Sequence, residues 1–188
     1  MLRRIKSRLA VLSLIAMVLT LLVQPSLAYY TTLRTATNVV TSGKLELTIR
    51  EMTDQGTEFP REGIYVMPGD VVSKMVTVEN TCEHPFYLRV KLVYGIDSQA
   101  LPAEDCVKLN IDSENWKLKD GWYYYVGTLL PGEETPYVFS HVEIVGNKVD
   151  NRYLGKTLTL SVIAQAVQSE NNPIQNGDTA TANGWPAE

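Results

Sequence analysis

Two histidines are the first residues to test for chemistry, because imidazole is a common ligand of catalytic zinc. A zinc protease with a His-Glu-x-x-His motif needs both histidines on one face of a helix, one turn apart. The chain contains only His84 and His141, and each lies in a β-like stretch without that motif. We therefore predict no zinc site and no catalytic residue.

Acidic clusters could supply oxygen ligands for calcium. Asp112, Glu114 and Asn115 are close in sequence, but their spacing matches no EF-hand loop, so calcium here is only a minor alternative. The pairs Glu104-Asp105 and Glu133-Glu134 fall in predicted turns, where solvated carboxylates are usual. No nucleophile elbow, phosphate-binding loop or dinucleotide motif occurs. We predict no metal, no cofactor and no enzymatic activity.

Four consecutive aromatic residues, Trp122 to Tyr125, could stack on a carbohydrate. In a strand, Tyr123 and Tyr125 would share one face and the other two residues the opposite face. A strand buried in the protein core explains the same pattern more simply, and we favour that interpretation.

The two cysteines, Cys82 and Cys106, could form a disulfide if the protein is exported to an oxidising exterior. Two separate buried thiols are an equally good interpretation, since a free cysteine packs as a small apolar residue. Two cysteines alone cannot build a structural zinc site. Both interpretations of the pair stay open at this stage.

The N-terminus has the pattern of a secretory signal peptide. Four basic residues lie within the first eight positions, and an apolar run, predicted to be a helix, extends from Leu9 to Val23. Small residues then precede a predicted cleavage between Ala28 and Tyr29. An uncleaved membrane anchor is the alternative, but the run of about 15 residues is shorter than the ~20 needed to span a bilayer. We expect membrane contact only through this segment before cleavage.

Removal of residues 1–28 leaves one domain's length of chain. The removed segment holds four of the 17 basic residues and none of the 21 acidic ones, which leaves a net charge of −8. A net-acidic surface argues against nucleic acid and anionic lipid as partners, because both require clustered lysine and arginine.

Residues 29–168 carry alternating apolar patterns separated by Pro-Gly and Asp-Gly turns, without an amphipathic helix. These patterns predict an all-β fold, an antiparallel β-sandwich or jelly roll, in which residues 29–43 form an N-terminal arm or edge strand. Residues 169–188 are rich in polar and small residues. They predict a mostly disordered tail, in which Trp185 could rest on the folded domain.

Six short motifs occur in order along the chain: Ala28-Tyr29-Tyr30-Thr31, Thr41-Ser42-Gly43-Lys44-Leu45, Met67-Pro68-Gly69-Asp70, Val78-Glu79-Asn80-Thr81, Tyr87-Leu88-Arg89-Val90 and Ala164-Gln165-Ala166-Val167-Gln168. In this order they resemble one family, the TasA and camelysin proteins of Gram-positive bacteria, which a SipW-type signal peptidase exports. Tyr30, Cys82 and Cys106 depart from the family pattern.

The resemblance implies a jelly-roll subunit secreted to the biofilm matrix or cell surface, where it assembles into fibres by donating its N-terminal strand. The donor strand would contain Tyr29, Tyr30, Leu33 and Val39, and the partners would be further copies or other matrix proteins. The same segment could instead fold back onto its own subunit. A monomeric module that binds carbohydrate or protein is the alternative function, and a camelysin-like metalloprotease is a remote one.

Overall fold

The computed structural model describes residues 31–41, 45–97 and 102–186. This part of the chain forms ten strands and three short 3-10 helical turns. The strands are β1 Thr31–Thr41, β2 Leu47–Met52, β3 Ile64–Val66, β4 Val71–Asn80, β5 Phe86–Ile96, β6 Val107–Ile111, β7 Trp116–Lys119, β8 Trp122–Tyr125, β9 Phe139–Ile144 and β10 Thr157–Gln168. The 3-10 turns are Glu104–Cys106, Asn151–Tyr153 and Thr179–Thr181.

The strands form two sheets. Sheet A has the order β3-β1-β10-β5-β8-β7, and sheet B has the order β2-β4-β9-β6. Adjacent strands are antiparallel except β1 and β10, which run parallel. The all-β sandwich predicted from the alternating patterns is therefore confirmed.

One apolar face of each sheet packs against the other sheet. β10 shows the cause most clearly, because Leu158, Leu160, Val162, Ala164 and Ala166 alternate with more polar residues, and all five are buried. They share one core with buried residues of sheet B, among them Val76, Val78, Phe139, Val142 and Ile144. Burial of each large apolar side chain contributes about 1.5–3 kcal/mol before the opposing entropy is counted.

The Asp120-Gly121 turn joins β7 to β8 as predicted. Lys119 pairs with Trp122, which leaves a two-residue loop, and both loop residues have positive φ, 51° and 79°. This is the geometry of a type I′ turn, which matches the twist of the flanking strands and favours Asp-Gly. The turn places the aromatic strand β8 beside β5.

The two ends of the described chain differ from expectation. β1 is an edge strand only in part: over Thr31 to Leu33 it lies between β3 and β10, whereas beyond Leu33 β10 is its one partner among the described strands. The C-terminal segment 169–186, here called the strap, is not disordered; it packs on the outer face of sheet A. Its apolar residues Ile174, Ala182 and Trp185 join Tyr87 and Val167 in a second, smaller cluster. The expectations for residues 187 and 188 lie outside the described residues.

No helix within the described ranges is long and apolar enough to cross a membrane. The predicted signal helix and the cleavage site between Ala28 and Tyr29 fall outside the described residues, as do Tyr29 and Tyr30 of the predicted donor strand.

Candidate functional site

The first candidate site is the position of β1 in sheet A, here called the strand slot and bounded by β3 and β10. β1 pairs with β10 over ten residue pairs, from Thr32 with Thr157 to Thr41 with Ala166. On its other edge it pairs with β3 over three residues only, Thr31 to Leu33. A long parallel ladder therefore holds the N-terminal strand against the last strand of the sandwich.

The predicted donor residues that the structure describes lie within this ladder. Leu33 is opposite Leu158 and Val39 is opposite Ala164, two positions of β10 whose side chains are buried in the core. The other edge of β10 is fully paired with β5, from Leu158 to Gln168. Loss of β1 would therefore expose one backbone edge of a long apolar strand, which is the kind of edge that pairs with another chain.

Beyond Leu33, one edge of β1 has no strand beside it. In the described ranges, no strand pairs with residues 34–41 on the side away from β10. Unpaired N–H and C=O groups along a strand can accept an additional strand by backbone hydrogen bonding. The N-terminal strand therefore occupies the strand slot beside β10, and its other backbone edge is unpaired by any described strand beyond Leu33.

The disulfide that the sequence left open does not form, and both thiols are free. Cys106 O accepts a hydrogen bond from Val145 N at 2.9 Å, near the Val71 end of β4. Cys82 follows Asn80 at the opposite end of the same strand. A ten-residue strand is roughly 30 Å long, whereas Cα atoms of a disulfide lie within about 7 Å of each other. Cys82 Sγ instead contacts Asn80 Oδ1 at 3.1 Å.

The two histidines are far apart. His84 follows the C-terminal end of β4, whereas His141 is paired with Ser73 near its N-terminal end. His141 lies at a β-bulge, where its Nδ1 is 2.9 Å from Ser140 Oγ and its backbone N–H donates to Asn110 Oδ1. No group of three or more His, Cys, Asp or Glu side chains that could hold a metal occurs in the part of the chain described.

The acidic cluster before β7 supports a turn. Asp112 accepts hydrogen bonds from Glu114 N at 3.1 Å and from the Asn115 side chain at 2.8 Å. These bonds, that from the Asn115 side chain first, lower the pKa of Asp112. The carboxylate is therefore used as a local acceptor within the chain, which explains the clustering of these residues without a bound ion.

The second candidate site lies under the strap, around the buried Arg89 of β5. Its Nε and Nη2 donate to Gln165 Oε1 at 2.8 and 2.6 Å, and its Nη1 donates to Tyr124 OH at 2.9 Å. The guanidinium carbon is 4.1 Å from the centre of the Trp122 ring and 4.9 Å from that of Trp185. We call Arg89, Gln165, Trp122 and Tyr124 the Arg89 site, and Trp185 belongs to the strap that covers it.

The strap completes this site from above. Pro186 O accepts a hydrogen bond from Arg89 Nη2 at 2.8 Å, and Trp185 meets Tyr124 edge to face with ring centres 5.4 Å apart. Trp122 and Tyr124 are only 4% and 6% exposed. They are buried as we expected, but under the strap rather than between the sheets, whereas Tyr123 and Tyr125 pack against the main core.

Sequence reasoning did not identify Arg89 or Gln165 as site residues. Both positions alternate with core residues, a pattern that predicts a polar outer face, and no sequence signal shows that the face is covered. The expected contact of Trp185 with the domain is confirmed.

A buried ion pair in the sandwich was also missed. Lys74 is fully buried, with its Nζ 2.9 Å from Glu51 Oε2 and 4.7 Å from the centre of the Phe59 ring. Burial lowers the pKa of Lys74 to about 8, although Glu51 acts in the opposite direction. Lys74 lies between Val72 and Val76 on the same face of the alternating strand, so its burial has a signal in the pattern, but the sequence does not identify its partner Glu51 on the neighbouring strand.

The fold and these two sites define an all-β sandwich whose two described ends both attach to sheet A. Comparisons with protein-family models, with curated proteins and with solved structures found no match for this chain. The strand slot and the Arg89 site are the features of the described residues that bear on function.

Proposed function

We propose that this protein is a secreted structural subunit of a biofilm matrix or cell surface, and that it assembles into fibres by exchange of its N-terminal strand. The observation that carries the proposal is the place of β1: the strand nearest the predicted cleavage point fills a slot beside β10 through ten residue pairs. Export by cleavage after Ala28, a jelly-roll topology and the resemblance to the TasA and camelysin family belong to the same proposal.

In strand exchange, the backbone hydrogen bonds between β1 and β10 of one subunit are replaced by the same hydrogen bonds between two subunits. If β1 leaves its slot, the same segment of a second copy can make the same backbone hydrogen bonds with β10, so the exchange costs little at equilibrium. A head-to-tail contact of this kind does not close on itself, and it therefore extends into a filament. The partners are further copies of the chain or other matrix proteins that carry a similar strand.

The alternative of a monomeric carbohydrate-binding module has less support. An aromatic platform for a sugar would require exposed rings, whereas Trp122 and Tyr124 are buried. The metalloprotease alternative was based on the family resemblance alone, and the separated histidines do not favour it.

Electron microscopy of two purified chains tests the proposal. The chain beginning at Tyr29 should form filaments, and the chain beginning at Lys44 should not. A synthetic peptide of residues 29–43 should bind the shorter chain and raise its melting temperature, because it refills the slot. The matched controls are the same peptide with Thr37→Pro and with Asn38→Pro. Successive N–H groups point to opposite edges of a strand, so one of the two peptides loses a hydrogen bond to β10 and should bind more weakly than the other.

Filaments from a folded chain that begins at Lys44 would contradict the proposal. A folded shorter chain that does not bind the peptide at any concentration would contradict it as well, because the slot would then not accept a strand in trans.

A further inference from the structure

The strap holds its shape through its own hydrogen bonds. Asn172 Nδ2 donates to Asn183 O at 2.9 Å, and Asn183 N donates back to Asn172 Oδ1 at 2.8 Å. Within this closed loop, Gln175 N donates to Thr181 Oγ1 at 2.7 Å and Asp178 N donates to Gln175 O at 2.8 Å. A loop whose ends are tied together in this way can dock and undock as one unit.

Two hydrogen bonds hold the base of the strap: Ser169 N donates to Pro85 O at 3.2 Å, and Asn172 Nδ2 donates to Gln168 O at 3.0 Å. Farther along, Thr179 Oγ1 donates to Tyr125 O at 2.7 Å, Pro186 O accepts from Arg89, and Lys119 Nζ lies 3.3 Å from Asp178 Oδ2 at the surface. Away from the base, the strap's main contact is apolar and aromatic, and Trp185 lies at its centre between Arg89 and Tyr124. Docking of the strap therefore depends mainly on the Arg89 site.

The covered surface is unusual for the outside of a sandwich. Outer faces of antiparallel sheets are normally polar and solvated, but here Tyr87, Arg89, Trp122 and Val167 are all buried. Uncovering them would expose a cationic and aromatic patch, the one that Trp185 and Pro186 of the strap contact.

The connection between the strap and β10 is short and exposed. Glu170 and Asn171 are exposed, and Asn171 has a φ of 58°, which marks a turn immediately after the strand. A hinge at this point would let the strap leave its own subunit without disturbing β10. Domain swapping uses this arrangement, because the same contacts form again between two copies.

We propose that the Arg89 site is a docking site for the C-terminal strap of a second copy of this chain, so that neighbouring subunits exchange straps. The proposal goes beyond strand exchange at the slot, because it uses other residues and would stand without it. The subunit's own strap competes at an effective concentration on the order of millimolar. Exchange should therefore dominate only where copies are held close together.

Two complementary variants of the chain beginning at Tyr29, each kept below the concentration at which filaments form, provide the test. Trp185→Ala keeps the Arg89 site but removes the strap tryptophan that binds it. Arg89→Leu keeps the intact strap but removes the arginine to which the strap binds. Sedimentation velocity should show a heterodimer in the mixture that neither variant forms alone, with an affinity at least ~10-fold above self-association. Strand exchange at the slot is available to each variant alone, so it cannot produce a mixture-specific species.

If the mixture sediments as the sum of its parts while both variants keep the wild-type circular dichroism spectrum, strap exchange is wrong. A second measurement covers the case in which Arg89→Leu does not fold. A protease site inserted between Glu170 and Asn171 of the otherwise unchanged protein allows the strap to be cut from β10. A fluorescein-labelled peptide of residues 169–188 should then replace the cut strap in a saturable manner, followed by anisotropy.

The matched peptide with Trp185→Ala should bind about 10-fold more weakly, because it lacks the ring that stacks on Arg89. Failure of the labelled peptide to exchange, or equal binding of the two peptides, would overturn the proposal.

Discussion

The two described ends of the chain attach to the same sheet by different physical means. β1 is held by a backbone ladder along β10, whereas the strap is held by side chains that meet at Arg89. A ladder repeats one interaction along its length, so it tolerates side-chain changes and is disrupted by loss of an N–H group. A side-chain dock depends on few residues, so one substitution can release it. The two attachments should therefore respond to different mutations.

The largest expected effect is that of a proline in β1. Successive N–H groups of a strand point to opposite edges. Therefore one of the two substitutions, Thr37→Pro or Asn38→Pro, removes a hydrogen bond to β10, and the other removes an N–H group that points to the open edge. The more harmful substitution should lower the free energy of unfolding by on the order of 3 kcal/mol, and the other by much less. Urea unfolding of dilute monomer measures both.

Thr37→Val and Asn38→Val are the matched controls, since they keep the N–H group and suit a strand. Equal, small effects of both prolines would show that β1 does not depend on the β10 ladder, and the contrast between the two ends would fail.

Removal of the guanidinium at the Arg89 site should have the next largest effect. Arg89→Leu leaves Gln165 Oε1 and Tyr124 OH without their donor in a buried place, and we expect a loss of about 2–3 kcal/mol in unfolding free energy. Trp185→Ala should cost less, about 1–2 kcal/mol, because it leaves those bonds in place.

A double-mutant cycle checks the assignment. If Arg89 and Trp185 act through one contact, the double variant should lose less than the sum of the single losses. Strict additivity would mean that the strap is not held by this pair.

The pH dependence of the unfolding free energy reports on the sandwich rather than on β1 or the strap, because the titrating group is the buried Lys74 of β4. In the folded protein burial lowers the pKa of Lys74 to about 8, whereas an unfolded lysine has a pKa near 10.5. Between these values the unfolded chain binds more protons, so stability rises with pH and the full penalty applies below pH 8. From pH 8 to 9.5 we expect a gain of roughly 1.5–2 kcal/mol in unfolding free energy.

Lys74→Met is the control for that scan, because it removes the titrating group and keeps the length of the side chain. A wild-type rise that persists in Lys74→Met would assign it to another group. The scan stops at pH 9.5 because burial raises the pKa of Tyr94 to about 12, and its ionisation in the unfolded chain reduces stability above pH 10.

Local signals in the sequence predicted much of the fold. The alternation along β10 and the Asp120-Gly121 turn each act between neighbours in the chain, so their periodicity and turn chemistry could be read directly. The sequence does not reveal that β1 is the parallel partner of β10, because this pairing depends on contacts between distant parts of the sequence. The same limit applies to the two cysteines. Whether Cys82 and Cys106 can form a disulfide depends on β4, which separates them, and the sequence does not specify that separation.

The strap shows why composition misled at the other end. A segment of small and polar residues predicts disorder when its apolar content is averaged. Here the few apolar residues are concentrated against one patch, and Trp185 gains both a cation–π contact and an aromatic contact from strands distant in sequence. Order in such a segment comes from its docking surface, and that surface is assembled only once β5, β8 and β10 lie side by side.

The smallest effect expected is that of the surface ion pair between Lys119 and Asp178, which joins the strap to the exposed edge strand β7. Both side chains are about half exposed, 48% and 47%, so Lys119→Ala should change unfolding free energy by less than ~0.5 kcal/mol. Asp178 has a second role, because its Oδ1 accepts a hydrogen bond from Ala180 N at 3.0 Å and supports the turn Thr179–Thr181.

The roles of Asp178 can be separated by two substitutions. Asp178→Asn keeps the acceptor and should resemble Lys119→Ala, whereas Asp178→Ala should cost about 1 kcal/mol because the acceptor is lost. Amide hydrogen exchange of residues 172–183 reports the result, since opening of the strap exposes these amides while the sandwich stays folded. A large effect of Lys119→Ala that disappears at high salt would mean that charge, rather than the Arg89 site, holds the strap in place.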